Sequence, residues 1–148
     1  MNTKEIIEEI TSRDTHKVWR SSCRIISESQ NREEINPLIP YLSEIKKETK
    51  GLNMGGAFAP NQRFVDFAIK VIEFHRDRDS GECPCSLYLG HGVDPNKEVV
   101  KGNVKINETV RIDGKWVDFY TVGCEKCTEK YKVIEREGHY MWWTWTKA

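Results

Sequence analysis

Two short cysteine pairs constrain this chain more than any other feature. Cys83-Pro84-Cys85 and Cys124-Glu125-Lys126-Cys127 are separated by 38 residues, 86–123. Zinc in a structural site takes four soft or borderline ligands in a tetrahedron, commonly as two close pairs from separate turns. A β-hairpin within the spacer brings such pairs together. The second pair has the usual knuckle spacing, and the first is one residue tighter. Three alternatives compete: a metal-free set of reduced thiols, a redox C-x-x-C, and replacement of one thiol by His91 or His75. Redox chemistry favours a strand-to-helix junction that lowers one thiol's pKa, whereas Cys124 and Cys127 fall between two expected strands. The expected cofactor is therefore a structural zinc ion on Cys83, Cys85, Cys124 and Cys127. Four thiolates fill the shell and leave no position for an activated water.

Compartment and composition agree with metal over disulfides. The start of the chain, Met1-Asn2-Thr3-Lys4-Glu5-Ile6-Ile7-Glu8-Glu9, is charged and amphipathic, unlike a signal peptide. No stretch approaches the ~18 apolar residues of a membrane span. A cytoplasmic setting, where thiols stay reduced, is the expectation. Residues 1–80 carry 13 basic and 13 acidic side chains, and residues 81–148 carry 10 and 10. Neither half has the basic excess that neutralises several phosphates; even Lys126, Lys130 and Lys132 are interleaved with Glu125, Glu129 and Glu135. Nucleic acid and membrane are accordingly poor partners.

The chain changes character near Asp79-Ser80-Gly81, which divides it into 1–80 and 81–148. The first part reads as four helices. Asn2 with Glu5 caps a short one bearing Ile6, Ile7 and Ile10. Asp14 caps a second to about Ser29, with Val18, Trp19, Ser22, Cys23, Ile25 and Ile26 on one stripe. Asn31 with Glu34 caps a third carrying Ile35, Leu38, Ile39, Leu42 and Ile45; Pro37 and Pro40 predict a late start or a bend, and Gly51 a left-handed end. Pro60 opens a fourth with Phe64, Phe67, Ala68, Val71, Ile72 and Phe74, after a glycine-rich loop over 52–58.

The second part reads as antiparallel β structure. Ser86-Leu87-Tyr88-Leu89, residues 103–106 and 109–112, 116–122, 130–135 and 139–146 are the candidate strands. Asp113-Gly114 is a strong hairpin signal. On the last strand Met141, Trp143 and Trp145 point one way, Tyr140 and Trp142 the other. Both faces are apolar, which predicts that this strand lies between two layers and joins the parts into one body. The expected class is α+β: antiparallel helices packed on an antiparallel, zinc-stapled sheet.

Candidates for catalysis are thin, and the expectation is a protein that is not an enzyme. His16, His75, His91 and His139 are scattered, and Gly90-His91-Gly92 reads as a turn. Glu135, Glu137 and His139 alternate on what reads as the solvent face of a strand. Gly55-Gly56 lacks the spacing and lysine of a phosphate loop. The H-x-E that precedes P-C-x-x-C in zinc deaminases is missing. Cys23, on an apolar stripe, reads as a core thiol.

Three resemblances follow from these residues. Residues 80–147, with Cys83, Cys85, Cys124 and Cys127 at the matching positions, resemble a zinc ribbon. Asn36-Pro37-Leu38-Ile39-Pro40-Tyr41-Leu42 resembles the start of the second helix in HEAT-type repeats; over 14–50 this implies a helical pair with a protein-binding surface. In size and helical layout the chain is similar to small bacterial immunity proteins, which implies a toxin as protein partner. The expected contact face is then Arg13, Lys17, Arg20, Arg24 and Glu28 on the second helix, opposite Val18, Cys23 and Ile26. The alternative that the zinc ribbon implies is a nucleic-acid-binding or transcription-associated factor.

Overall fold

A computed structural model of the chain describes residues 1–56, 60–78 and 81–148. Ala57 and Phe58 of the glycine-rich loop, and Asp79 and Ser80 at the change of character, lie outside the described residues. The architecture is α+β, with helices in the N-terminal half and a four-stranded antiparallel sheet in the C-terminal half. It divides into two compact units, Met1–Pro84 and Cys85–Ala148.

The first unit is built by caps and stripes. Asn2 Oδ1 accepts from the Glu5 N–H and opens α1 (Thr3–Ile10). Asp14 Oδ1 accepts from the N–H groups of His16 and Lys17, each at 3.1 Å, and opens α2 (Thr15–Ser27). Those bonds, that to Lys17 foremost, hold the Asp14 carboxyl below its ordinary value. Asn31 caps α3 (Arg32–Ile35) in the same way. The prolines then impose the expected bend: Asn36–Tyr41 is a 3-10 segment, and the α-helix resumes as α4 (Leu42–Thr49). Gly51 follows with φ of +76°, a conformation costly for other residues. The last helix, α5 (Gln62–Asp77), packs on α2. Val18, Ile25, Leu38, Ile45, Val71 and Ile72 are fully buried between these elements. Each such side chain contributes roughly 1.5–3 kcal/mol relative to exposure. On its stripe Trp19 stays partly exposed and Cys23, expected as a core thiol, is half-buried. The Trp19 ring meets the edge of Phe64, with centroids 6.0 Å apart.

The second unit is a meander, β1 (Val104–Ile112), β2 (Trp116–Cys124), β3 (Lys130–Glu137) and β4 (Met141–Lys147), in the order β1-β2-β3-β4. The runs expected at 103–106 and 109–112 form one strand, which begins at Val104, and its register shifts between Ile106 and Glu108. At the first hairpin Asp113 and Gly114 take φ of +52° and +66°, and the Lys115 N–H donates to the Ile112 carbonyl. Positive φ at both central residues matches the twist of paired strands.

One face of the sheet carries the core: Val104, Tyr120, Val122, Tyr131, Val133 and Trp145 are buried. Two elements pack there, and both differ from the sequence expectation. Residues 86–89 belong to a 3-10 helix, Pro84–Leu89, rather than a strand. Proline suits a first helical turn and has no N–H for a ladder, and the i, i+3 spacing sends Cys85 and Tyr88 inward together. The second element is α6 (Pro95–Val100), which the expected strands left unassigned. Asp94 caps it, Pro95 occupies its first turn, and it packs on β1. Glu98 of α6 is buried but answered: the Tyr88 hydroxyl (2.6 Å) and Asn103 Nδ2 (3.2 Å) donate to Oε1, and Lys101 Nζ lies 3.1 Å from Oε2. A buried carboxylate without those partners would cost several kcal/mol.

The expectation that β4 is covered on both faces is corrected. Trp145 is 4% exposed, stacked on Tyr88 at 4.3 Å and edge-on to Tyr131, whereas Trp142 is 41% exposed and Tyr140 and Met141 are exposed too. Glu135 also departs from a solvent-face role. It lies on the Tyr120 and Trp145 side of the sheet and accepts from the Tyr120 hydroxyl (3.0 Å) and Trp143 Nε1 (2.8 Å).

The loop before α6 runs along β4. Val93 accepts the Trp145 indole N–H at 2.8 Å, and a Cβ on Gly92 would stand 2.0 Å from the Trp143 carbonyl oxygen. Gly92→Ala must therefore push the loop off the strand. We expect it to lower the stability of this unit by about 1–3 kcal/mol, which a urea titration followed by tryptophan fluorescence checks.

Candidate metal centre

The four thiols meet although their pairs are far apart in sequence. Cys85 stands in the first turn of Pro84–Leu89, with Cys83 just before it. Within the first unit, buried Gln30 donates from Nε2 to the Pro84 carbonyl at 2.8 Å, which fixes the peptide between the two cysteines. Cys124 ends β2, opposite Val104 in register. The loop after it closes on itself, since the Cys124 N–H donates to the Glu129 carbonyl at 3.0 Å. That closure turns two backbone N–H groups onto sulfur: Lys126 N donates to Cys124 Sγ and Glu129 N to Cys127 Sγ, each at 3.4 Å.

The Sγ atoms of Cys83, Cys85, Cys124 and Cys127 all lie within 4.8 Å of one another, with Cys85 and Cys127 at 3.6 Å. A tetrahedron with Zn–S bonds of ~2.3 Å has edges of about 3.8 Å. The thiols thus stand at single-ion spacing, narrower than a multi-iron cluster requires. None of the five cysteines is in a disulfide. The donor set fits zinc: soft sulfur ligands, four in number, with N–H groups ready to stabilise thiolate charge. Neither His75 nor His91 belongs to the set. His75 is buried on α5 and bonded through Nε2 to the Ser29 carbonyl at 2.8 Å.

Burial grades the ligands. Cys85 is 3% exposed, while Cys83, Cys124 and Cys127 are half-buried. Cys85 takes a hydrogen bond from the Tyr131 hydroxyl at 3.0 Å, and the Tyr131 ring packs edge-on against Tyr88 and Trp145. Burial first, and then the bond to Cys85, push the Tyr131 hydroxyl far above the usual tyrosine value, so it stays a donor. Burial and then Glu98 do the same for Tyr88. Sequence spacing located the four sulfurs but missed Tyr131, Tyr88 and Gln30, because nothing in sequence order aims them at the site. Cys23, the remaining thiol, is half-buried on α2, and burial raises its pKa.

The charged stripe on α2 is partly committed inside the first unit. Arg20 is ion-paired with Glu9 and Arg24 with Glu5, both on α1. Arg13 donates to the carbonyls of Glu48 and Lys50 at the end of α4. Lys17 is exposed in the first turn of α2, and Glu28 is half-buried at its C-cap. Glu9 Oε2 is buried with no hydrogen-bond partner among the described residues, so its carboxylate depends on Arg20. We therefore expect Arg20→Glu to lower the melting temperature and Lys17→Glu to leave it unchanged. Paired thermal melts check this.

Comparison with protein-family models, with curated proteins and with solved structures gives no match. The HEAT-type and immunity-protein resemblances accordingly have no family match behind them. The four-cysteine cluster is what stands of the zinc-ribbon likeness. No helix among the described residues is long and apolar enough to cross a membrane.

Proposed function

We propose that this chain is a non-enzymatic protein-binding module whose sheet is held by one structural zinc ion. Four thiolates occupy every tetrahedral position, so the metal's part in this reading is to fix the fold.

The observation that carries the binding half of the proposal lies at the other end of β2, about 26 Å of strand away from Cys124 at ~3.3 Å per residue. Two of the sheet's three hairpin tips, β1–β2 and β3–β4, lie there, and exposed large apolar side chains collect on them. Trp116 is 66% exposed, and Ile112, its partner in register, is exposed beside it. Trp116 and Met141 line one shallow cavity of about 210 Å³ with Arg111 and Lys115, and Tyr140 meets Trp142 edge-on at 6.2 Å. Aromatic residues, methionine and arginine are enriched where proteins meet. This end is a better seat for a partner than the α2 stripe, where Arg20 and Arg24 already have partners. A toxin neutralised by an immunity protein is one form such a partner takes.

The test is affinity capture from the source cells with wild-type and Trp116→Ala chains. The reading expects one partner, held by wild type and lost with Trp116→Ala at unchanged zinc content. Purified nucleic acid retained with a steep salt dependence, and no protein captured, would overturn it in favour of the zinc-ribbon nucleic-acid factor.

A further inference from the structure

Cys85 poses a problem that its neighbours solve. As a zinc ligand it must be a thiolate, yet it is buried, and the ring that reaches its sulfur, Tyr131, packs in turn on Tyr88 and Trp145. A buried anion is costly unless something donates to it. Two tyrosines reach into this cluster, and they end on different acceptors. The Tyr88 hydroxyl goes to Glu98 Oε1 at 2.6 Å, and the Tyr131 hydroxyl to Cys85 Sγ at 3.0 Å. Tyr131 is itself 1% exposed and is held in β3 opposite Val122 of β2 and Lys147 of β4. Its aim at the sulfur is thus set by the sheet and not by a mobile side chain.

Resting on the zinc reading, we propose that Tyr131 is a positioning residue of the metal centre, whose hydroxyl holds the Cys85 thiolate in its metal-binding orientation and governs how fast the ion leaves. The hydroxyl draws electron density from the sulfur, which weakens it as a nucleophile and as a base. Loss of one thiolate opens a four-thiolate shell, and a poorly anchored Cys85 is lost more readily than one held by a hydroxyl. Removing the donor leaves a stronger, less anchored thiolate at a buried site. Hydrogen-bond partners of metal ligands typically alter affinity by roughly 10–100-fold, and a change of that size is expected here in the rate of metal release.

The experiment compares the full-length wild type with Tyr131→Phe and Tyr88→Phe. Both variants keep the ring and lose one hydroxyl, so both disturb the same cluster, but only Tyr131→Phe removes a donor to sulfur. Tyr131→Phe should release zinc to a chromogenic chelator roughly 10–100-fold faster. In the cobalt-loaded protein it should also move the thiolate-to-metal charge-transfer band to lower energy. Tyr88→Phe should lower the melting temperature and leave release rate and spectrum as in wild type. Equal release and equal spectra for wild type and Tyr131→Phe would overturn the assignment, as would the same change in Tyr88→Phe. Should Tyr131→Phe not fold, the wild type loaded with a spin-half cadmium isotope decides. Scalar coupling between the metal and the Tyr131 hydroxyl proton supports the bond to the ligand sulfur, and its absence overturns it. Wild type that takes up neither zinc nor cobalt would sink the zinc reading itself, a result distinct from a metal-loaded protein indifferent to Tyr131.

Discussion

Replacing Cys124 by serine is expected to strip the metal and unfold the unit Cys85–Ala148. The magnitude decides this. Structural zinc contributes an apparent ~10–16 kcal/mol in small metal-folded domains, whereas a unit of about 60 residues holds only roughly 3–10 kcal/mol of net stability. Cys124 is also where the four-thiol cluster meets the sheet, because it ends β2, faces Val104 of β1 and closes the following loop through its own N–H. With Cys124 replaced, the half-buried sulfurs of Cys83 and Cys127 and the buried sulfur of Cys85 no longer complete a four-thiolate set. Far-UV circular dichroism of Cys124→Ser should show the β signal lost, and chelator added to wild type should reproduce it. A variant with native-like spectra and an unchanged melt would mean that the sheet stands without the metal.

Trp145→Ala carries the second largest expected effect. Its indole is 4% exposed, stacked on Tyr88 at 4.3 Å and edge-on to Tyr131 at 5.7 Å, and its N–H donates to the Val93 carbonyl at 2.8 Å. Truncation leaves a cavity between β4, the Pro84–Leu89 turn and the loop before α6, and leaves that carbonyl without its donor. Large-to-small changes of this kind cost about 3–5 kcal/mol, close to the whole net stability of a unit this small. The second unit should therefore be largely unfolded at 37 °C, read from its chemical shifts or hydrogen exchange. Trp142→Ala, at a site 41% exposed on the same strand, should cost clearly less. Equal losses from the two would contradict the burial contrast.

The contrast between those tryptophans shows where sequence reasoning stopped. Alternation along β4 separates Trp142 from Trp145 correctly, but it cannot say whether a second layer exists to cover both. Among the described residues the inward side is covered by Tyr88 and the loop at Val93, and Trp142 on the other side is 41% exposed. The residues that act through local chemistry were legible: Asn2, Asp14 and Asn31 cap their helices, and Asp113-Gly114 makes the tight turn. The four cysteines were legible because metal ligation restricts residue type and spacing together. Ser86-Leu87-Tyr88-Leu89 was misread because a short alternating run fits a strand and a 3-10 turn equally well. The tie is broken by proline at its start and by inward contacts from distant residues. The capping signal Asp94-Pro95 was readable, but α6 is too short for a periodic stripe to announce it. Tyr131 and Gln30 were beyond reach for a different reason. Their partners, Cys85 and the Pro84 carbonyl, are more than forty residues away in sequence, and only the fold brings them together.

Metal content tests the central claim most directly. Full-length protein purified under reducing conditions without chelator, and analysed by elemental spectrometry alongside its thiol titre, should carry one zinc per chain. All four of Cys83, Cys85, Cys124 and Cys127 should be shielded from a thiol reagent until chelator is added. Folded, reduced protein with a zinc content near zero and the same four thiols freely reactive would contradict it.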